Sequence, residues 1–295
     1  MTKDIVIIIP HKGIGDIIFH HSFISSISLF HKKKVILIAN SSTKIDLIYK
    51  NSPYVKKIII EDLRRPFKLM YPYKIFYLAY KIFFNSYSKI YYTGNSMWHK
   101  IAFKIVSKFK NIIFLYPNKK KKFIIPNLNN FLKQLKITNT NNYKFQINFN
   151  KTKIKFIKNF KFKKPWIFLS VDTSENQIKL SNLFLSELTT NLTKKYKTIF
   201  LNTNKQNENI INFIKKKNVI KTSNFNIIEI AYLIKNSVRF IGNESGPAIL
   251  ATIFKKRSII FLDKKVLPES KFLPYKKMRT YIKNKKLINL LQYNF

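Results

Sequence analysis

Short β-branched runs alternate along this chain with longer segments of helical period, and that alternation constrains the fold more than any other feature. The spacing predicts strands at 5–9, 35–39, 57–60, 89–92 and 112–115, and again at 166–171, 198–202, 219–222, 239–241 and 258–262. Helices are expected between them, at 16–30, 128–135, 181–195, 207–217 and 227–235. Short continuous apolar runs separated by helices belong to parallel sheets covered on both faces. The expected fold class is therefore α/β, with two Rossmann-like domains whose parallel sheets face a central cleft. The lysine-rich stretch 150–165 separates the halves. The expected division is 1–155, then 156–282, with 283–295 as a final helix of unassigned position.

Composition narrows the chemistry. The 295 residues contain no cysteine, which removes disulfide frameworks, thiolate zinc sites and cysteine nucleophiles together. With 46% apolar residues the chain has too much to bury to stay disordered. Fifty-six basic residues stand against 13 acidic ones, a formal net charge of +43. Nearly all of that excess is lysine and accompanies abundant Asn, Ile, Phe and Tyr, residues with A- and T-rich codons, so gene composition explains much of it. Arginine, the better donor to phosphate pairs and guanine, occurs only at Arg64, Arg65, Arg239, Arg257 and Arg279. No nucleic-acid-binding signature appears, so no specific nucleic-acid partner is expected. The N-terminal apolar stretch 5–9 is too short for a signal or spanning segment, and lysines interrupt the others. A soluble, cytoplasmic protein is expected, or at most one bound peripherally to a membrane surface.

Only five glycines occur, and four lie in two short loops: Gly13 and Gly15 in His11–Asp16 (HKGIGD), Gly242 and Gly246 in GNESGP. Each loop follows an expected strand and precedes an expected helix, the place where open α/β sheets bind ligands. Tight turns also favour glycine, but two such loops in a glycine-poor chain point to a ligand site.

Asp16 falls at the start of a helix whose Phe19, Phe23, Ile27 and Phe30 form one stripe for burial. Aspartate there serves equally as a helix cap or as a general base taking a proton from an acceptor hydroxyl. In the second loop, Ser245 or Gly246 is expected to cap a helix with Pro247 in its first turn. Such an N-terminus suits a diphosphate. Asn243 and Glu244 precede it. Glu244 would repel phosphate, so it reads either as a contact to sugar or ribose hydroxyls or as a solvated loop carboxylate.

Both loops, the stretch Lys89-Ile-Tyr-Tyr-Thr-Gly-Asn95, the helical segment 127–137, and Glu229-Ile-Ala-Tyr-Leu-Ile-Lys235 followed by Ile241-Gly-Asn-Glu-Ser-Gly-Pro247 resemble the ADP-heptose:lipopolysaccharide heptosyltransferase family, glycosyltransferase family nine. The resemblance spans nearly the whole chain. It implies a GT-B fold and an inverting, metal-independent glycosyltransferase. A heptose-like sugar would move from a nucleotide-diphosphate donor, ADP-heptose in the family, to a lipopolysaccharide-core or related envelope glycan, an anionic glycolipid acceptor. No cofactor beyond that donor is implied. The N-terminal domain would take the acceptor and the C-terminal domain the nucleotide-sugar. Asp16 matches the family's general base, with Gly13 and Gly15 beside it. Asn243, Glu244, Ser245, Gly246 and Pro247 match its diphosphate region. Lys179 lies near its phosphate-binding lysine, slightly out of register and without the usual Trp-Pro after it. Glu208 stands where a ribose-binding glutamate is common. Lys179 also reads as a solvated lysine, and Glu208 as an exposed first-turn residue.

Two departures stand out. Glu244 replaces the family's aspartate, and Ile249 replaces a histidine whose polar contact isoleucine cannot make. A catalytically degenerate glycan- or nucleotide-binding relative is therefore an alternative reading, and a basic nucleic-acid or membrane-surface binder a further one. Asp172, Glu175 and Asp263 lack the convergent spacing of metal ligands. The stretch 64–92 interleaves basic and aromatic residues. It is expected to form an amphipathic helix with aromatics in the core and lysines in solvent. The alternative is a surface for anionic headgroups.

Overall fold

The computed structural model describes residues 4–11, 13–61, 70–94, 97–115, 124–142, 147, 149, 165–171, 180–202, 218–222, 224–262 and 279–283. Two compact units divide the chain, Met1–Asn148 and Phe149–Phe295.

The N-terminal unit holds strands β1 (Asp4–Ile9), β2 (Val35–Asn40), β3 (Val55–Glu61), β4 (Tyr87–Tyr92) and β5 (Ile112–Phe114) in one parallel sheet ordered β3-β2-β1-β4-β5. Its helices are α1 (Ile14–Phe19), α2 (His21–Phe30), α3 (Ile45–Tyr49), α4 (Met70–Phe84), α5 (Met97–Ser107) and α6 (Ile124–Gln134). The central strand reads DIVIII because it is covered on both faces. Val6 and Ile8 point with Ile36, Ile38, Ile90 and Tyr92 into a core closed by Ile75, Leu78 and Ile82 of α4 and by Phe103 and Val106 of α5. On the opposite face Tyr91 packs edge-on against Phe23 and Phe131. Each such buried side chain contributes about 1.5–3 kcal/mol.

The C-terminal unit repeats the plan. Strands β6 (Trp166–Ser170), β7 (Thr198–Asn202), β8 (Val219–Lys221), β9 (Arg239–Asn243), β10 (Ser258–Leu262) and β11 (Arg279–Lys283) form a parallel sheet ordered β11-β10-β9-β6-β7-β8. Helices α7 (Asn182–Lys195), α8 (Ile227–Asn236) and α9 (Gly246–Ile253) accompany it. Ser181 caps α7 by accepting from the Phe184 N–H at 3.2 Å. Asn226 and Glu229 form a reciprocal capping box on α8. Among the described residues, no helix is long and apolar enough to cross a membrane.

Several expectations are corrected. The single helix expected over 16–30 is two, meeting at His20, and Phe30 at the end of the expected buried stripe is 52% exposed. Strand β11 has no counterpart in the sequence reading, because an edge strand as polar as RTYIK carries little apolar signal. Lys283, expected to begin a terminal helix, ends that strand, and residues 284–295 lie outside the described residues. So does the helix expected at 207–217. The aromatics of α4 are not all core: Tyr73, Phe76, Tyr77, Tyr80, Phe83 and Phe84 face solvent, because a helix on one sheet face buries only one stripe.

Candidate active site

Strand order places both glycine loops. In the first sheet β1 has β2 on one side and β4 on the other, so successive crossovers leave β1 in opposite directions. In the second sheet β6 stands in the same relation to β7 and β9. A crevice opens at the carboxyl ends of the strands where such a reversal occurs. The turn from β1 into α1 carries Gly13–Asp16, and the turn from β9 into α9 carries Asn243–Pro247, so each lies at the reversal of its own sheet.

In the N-terminal unit, Gly13 is the N-cap of α1 with extended backbone, and Gly15 is buried in its first turn. Asp16 is therefore not the cap but the third helical residue. Its Oδ2 accepts the Gly13 N–H at 2.9 Å, which satisfies one orphan donor of the helix start. No other described residue hydrogen-bonds the carboxylate, and its side chain is only partly buried.

Behind it lies a fully buried histidine, His20, bonded on both ring nitrogens. Its Nδ1 lies 2.6 Å from the Asp16 carbonyl oxygen and its Nε2 3.1 Å from Thr93 Oγ1. A carbonyl only accepts, so Nδ1 carries the proton, and Nε2 accepts from the Thr93 hydroxyl. The Ile8 carbonyl, also 3.1 Å from that hydroxyl, keeps the Thr93 N–H as its donor. Burial, and then the charge of nearby His11, lower the His20 pKa from 6.5 to about 3, against a smaller raising effect of the Asp16 carbonyl, so the ring is neutral. Because the ring takes the Asp16 carbonyl, the His20 N–H is shared between Asp16 O and Ile17 O at 3.2 Å each, and the helix breaks there.

Thr93 and Gly94 directly follow β4, on the other side of the reversal. A Cβ on Gly94 would collide with the Tyr92 ring and Pro10, so only glycine lets this loop close against the one after β1. The fifth glycine thus belongs with Gly13 and Gly15 at the reversal of the N-terminal sheet. Its sequence signal was present in Thr-Gly-Asn directly after a strand.

In the C-terminal unit, Gly242 has φ +155° and faces the Ser170 backbone of β6, where a Cβ would strike the carbonyl. Asn243 is buried and donates from Nδ2 to the Val171 carbonyl at 3.2 Å, tying the β9 loop to the end of β6. Ser245 occupies the N-cap of α9, yet its hydroxyl donates backward to the Asn243 carbonyl at 3.2 Å and makes no capping bond. Pro247 sits in the first turn, where its missing N–H does no harm. The start of α9 thus presents backbone N–H groups and the positive end of its dipole. Glu244 is half-buried next to it. Ile249 is 6% exposed and packs as an apolar helix residue. Lys179 and Glu208 lie outside the described residues, as do Asp172, Glu175 and Asp263. Among the described residues no three His, Asp or Glu side chains converge as a metal site would require.

Two Rossmann-like units, each with a glycine loop at its reversal, define a GT-B type of α/β protein, and solved structures share that fold. A family nine glycosyltransferase from Veillonella parvula superposes with a TM-score of 0.77 at 11% identity, covering 98% of this chain and 88% of its own. The Escherichia coli ADP-heptose lipopolysaccharide heptosyltransferase II gives 0.71 at 12% identity, over 98% and 96%. The UDP-GlcNAc 2-epimerase of Methanocaldococcus jannaschii gives 0.60 at 14% identity, over 99% and 92%. No protein-family model matches the sequence, nor does any curated protein. At such identities the likeness establishes the fold.

Proposed function

We propose that this protein is a glycosyltransferase of the heptosyltransferase kind. It moves a heptose-like sugar from a nucleoside-diphosphate donor, such as ADP-heptose, to a lipopolysaccharide-core or related envelope glycan. The observation that carries this reading is the placement of Gly13–Asp16 and Asn243–Pro247, each at the reversal of its own parallel sheet, in a chain with the fold of family nine enzymes along nearly its whole length.

In this reading Asp16 is the general base. The Gly13 N–H holds one carboxylate oxygen, and the other takes the proton of the acceptor hydroxyl. The acceptor oxygen then forms a bond to the anomeric carbon while the bond from that carbon to the diphosphate breaks on the opposite face, inverting the centre. The departing charge falls on the diphosphate. Amides at the start of α9 and in the Ser245–Pro247 turn stabilise it without a metal ion. Asn243 holds that turn against β6, and Glu244 serves sugar or ribose hydroxyls. Lys179 and Glu208 are proposed as further phosphate and ribose contacts. The Ile249 position supports a second reading, a relative that binds donor but transfers nothing.

Thermal shift with nucleoside diphosphates is the first test. A ligand at about 100 times its dissociation constant stabilises a protein by roughly 2.7 kcal/mol. No shift with any nucleoside diphosphate or nucleotide-sugar would overturn both readings. Given transfer, Asp16→Asn retains an acceptor for the Gly13 N–H and is expected to leave the fold intact while lowering turnover by about 10²–10⁴. Wild-type turnover in that variant removes Asp16 from the chemistry. Donor binding without product from any acceptor favours the second reading, and recovery of transfer in Ile249→His would then locate the lost contact.

A further inference from the structure

Helix α4 buries Ile75, Leu78, Ala79 and Ile82 against the sheet, as one inward stripe requires. Its outer side is equally apolar. Tyr73, Tyr77, Tyr80 and Phe84 recur there at helical spacing, with Tyr73 68% and Phe84 66% exposed. Helix α5 packs on the same sheet face and presents a matching row of Trp98, Ile101 and Ile105, continued by Phe109 just past its end at 69% exposure. The Phe83 and Phe109 rings meet edge to face with centroids 5.6 Å apart, so the two rows form one surface. A helix apolar all round is ordinarily covered on both sides, and a contiguous apolar patch marks an interaction site.

The charge around this surface identifies what covers it. Lys74, Lys81, Lys100, Lys104, Lys108 and Lys110 lie on or beside the two helices, and no Asp or Glu occurs anywhere between Asp62 and Asp172. Glu61, at the end of β3, holds Lys81 at 3.0 Å. The Lys81 ammonium sits 4.5 Å from the Tyr77 ring and that of Lys110 6.0 Å from Phe83, so the cations stand at ring level. Aromatics edged by lysines suit the boundary between headgroups and acyl chains, with rings in the interface and ammonium groups on phosphates. A second copy of this chain would instead set lysine rows against lysine rows, which like-charge repulsion opposes.

We propose that the α4–α5 face of the N-terminal unit docks the protein onto an anionic lipid bilayer, whether or not the chain transfers a sugar. Trp98 reports on it directly, since the chain has two tryptophans and Trp166 is buried. In the Trp166→Phe variant, checked for intact fold, vesicles containing phosphatidylglycerol are expected to shift Trp98 emission to the blue and to carry the protein in flotation, while pure phosphatidylcholine vesicles do neither. The triple variant Tyr77→Ser, Tyr80→Ser, Phe84→Ser, altered only at exposed positions, should lose about tenfold or more in vesicle affinity. Lys104→Gln and Lys108→Gln should each lose roughly fivefold at low salt. Thermal shifts with nucleoside diphosphates should not change in any of these, so the two proposals fail separately. The proposal is overturned by an unshifted Trp98 on anionic vesicles, or by a triple variant that binds them as tightly as the parent. It is equally overturned by lipid-free self-association that shields Trp98 and is lost in the triple variant.

Discussion

The neutral state of His20 makes the N-terminal unit sensitive to acid in a way that can be measured. The folded ring has a pKa of about 3, and an unfolded histidine titrates at 6.5. Between those values the unfolded chain binds a proton that the folded one refuses, so stability is fully present above pH 6.5 and is lost as the pH falls towards 3. From pH 7 to pH 5 that linkage amounts to about 2 kcal/mol for this one group. Protonation is resisted first by burial, which denies the cation its water, and then by repulsion from His11, whose ring centroid lies 5.0 Å away. His20→Gln retains an N–H for the Asp16 carbonyl and an acceptor for Thr93, but it cannot titrate. Urea unfolding of both proteins at pH 7 and pH 5 should show the parent losing about 2 kcal/mol more than the variant. Equal acid dependence in the two, or a folded-state His20 imidazole resonance titrating near 6.5, would refute the buried Nδ1–H assignment.

Gly242→Ala should destabilise the C-terminal unit by about 2–4 kcal/mol, since its Cβ meets the Ser170 carbonyl at a φ that side chains avoid. A urea midpoint unchanged from the parent would show that β6 and β9 are not so closely apposed. Asn226→Ala removes the acceptor for the Ile228 and Glu229 amides at 2.9 and 3.1 Å, and about 1–2 kcal/mol should go with it. Asn226→Ser should restore most of that loss, which chemical denaturation can follow.

The local elements were largely legible because their signals are local. The runs at 198–202 and 258–262 are the strands observed, and the helices expected at 181–195 and 227–235 are α7 and α8 to within a residue. The glycine loops were legible for the same reason, since each is a strand-to-helix turn in a chain with little glycine to spare. His20 was not legible, because its tautomer and charge depend on Thr93, a residue distant in sequence that only sheet pairing brings to it. The outward aromatics of α4 stood only as the alternative to a buried set: periodicity locates the buried stripe, but an apolar residue on the opposite side carries no mark of where it points.

By itself, then, the amino-acid order determined the alternation of strand and helix, the parallel sheets that alternation requires, and the two glycine turns that lead from strand to helix. Tertiary structure alone decided that each loop lies at the reversal of its sheet, that Asp16 is braced through a buried neutral imidazole, and that the lysine-edged aromatics face outward. The division follows from range. Backbone preference and side-chain period are set by near neighbours, whereas strand order, burial and proton position are set by groups that meet only once the chain has folded.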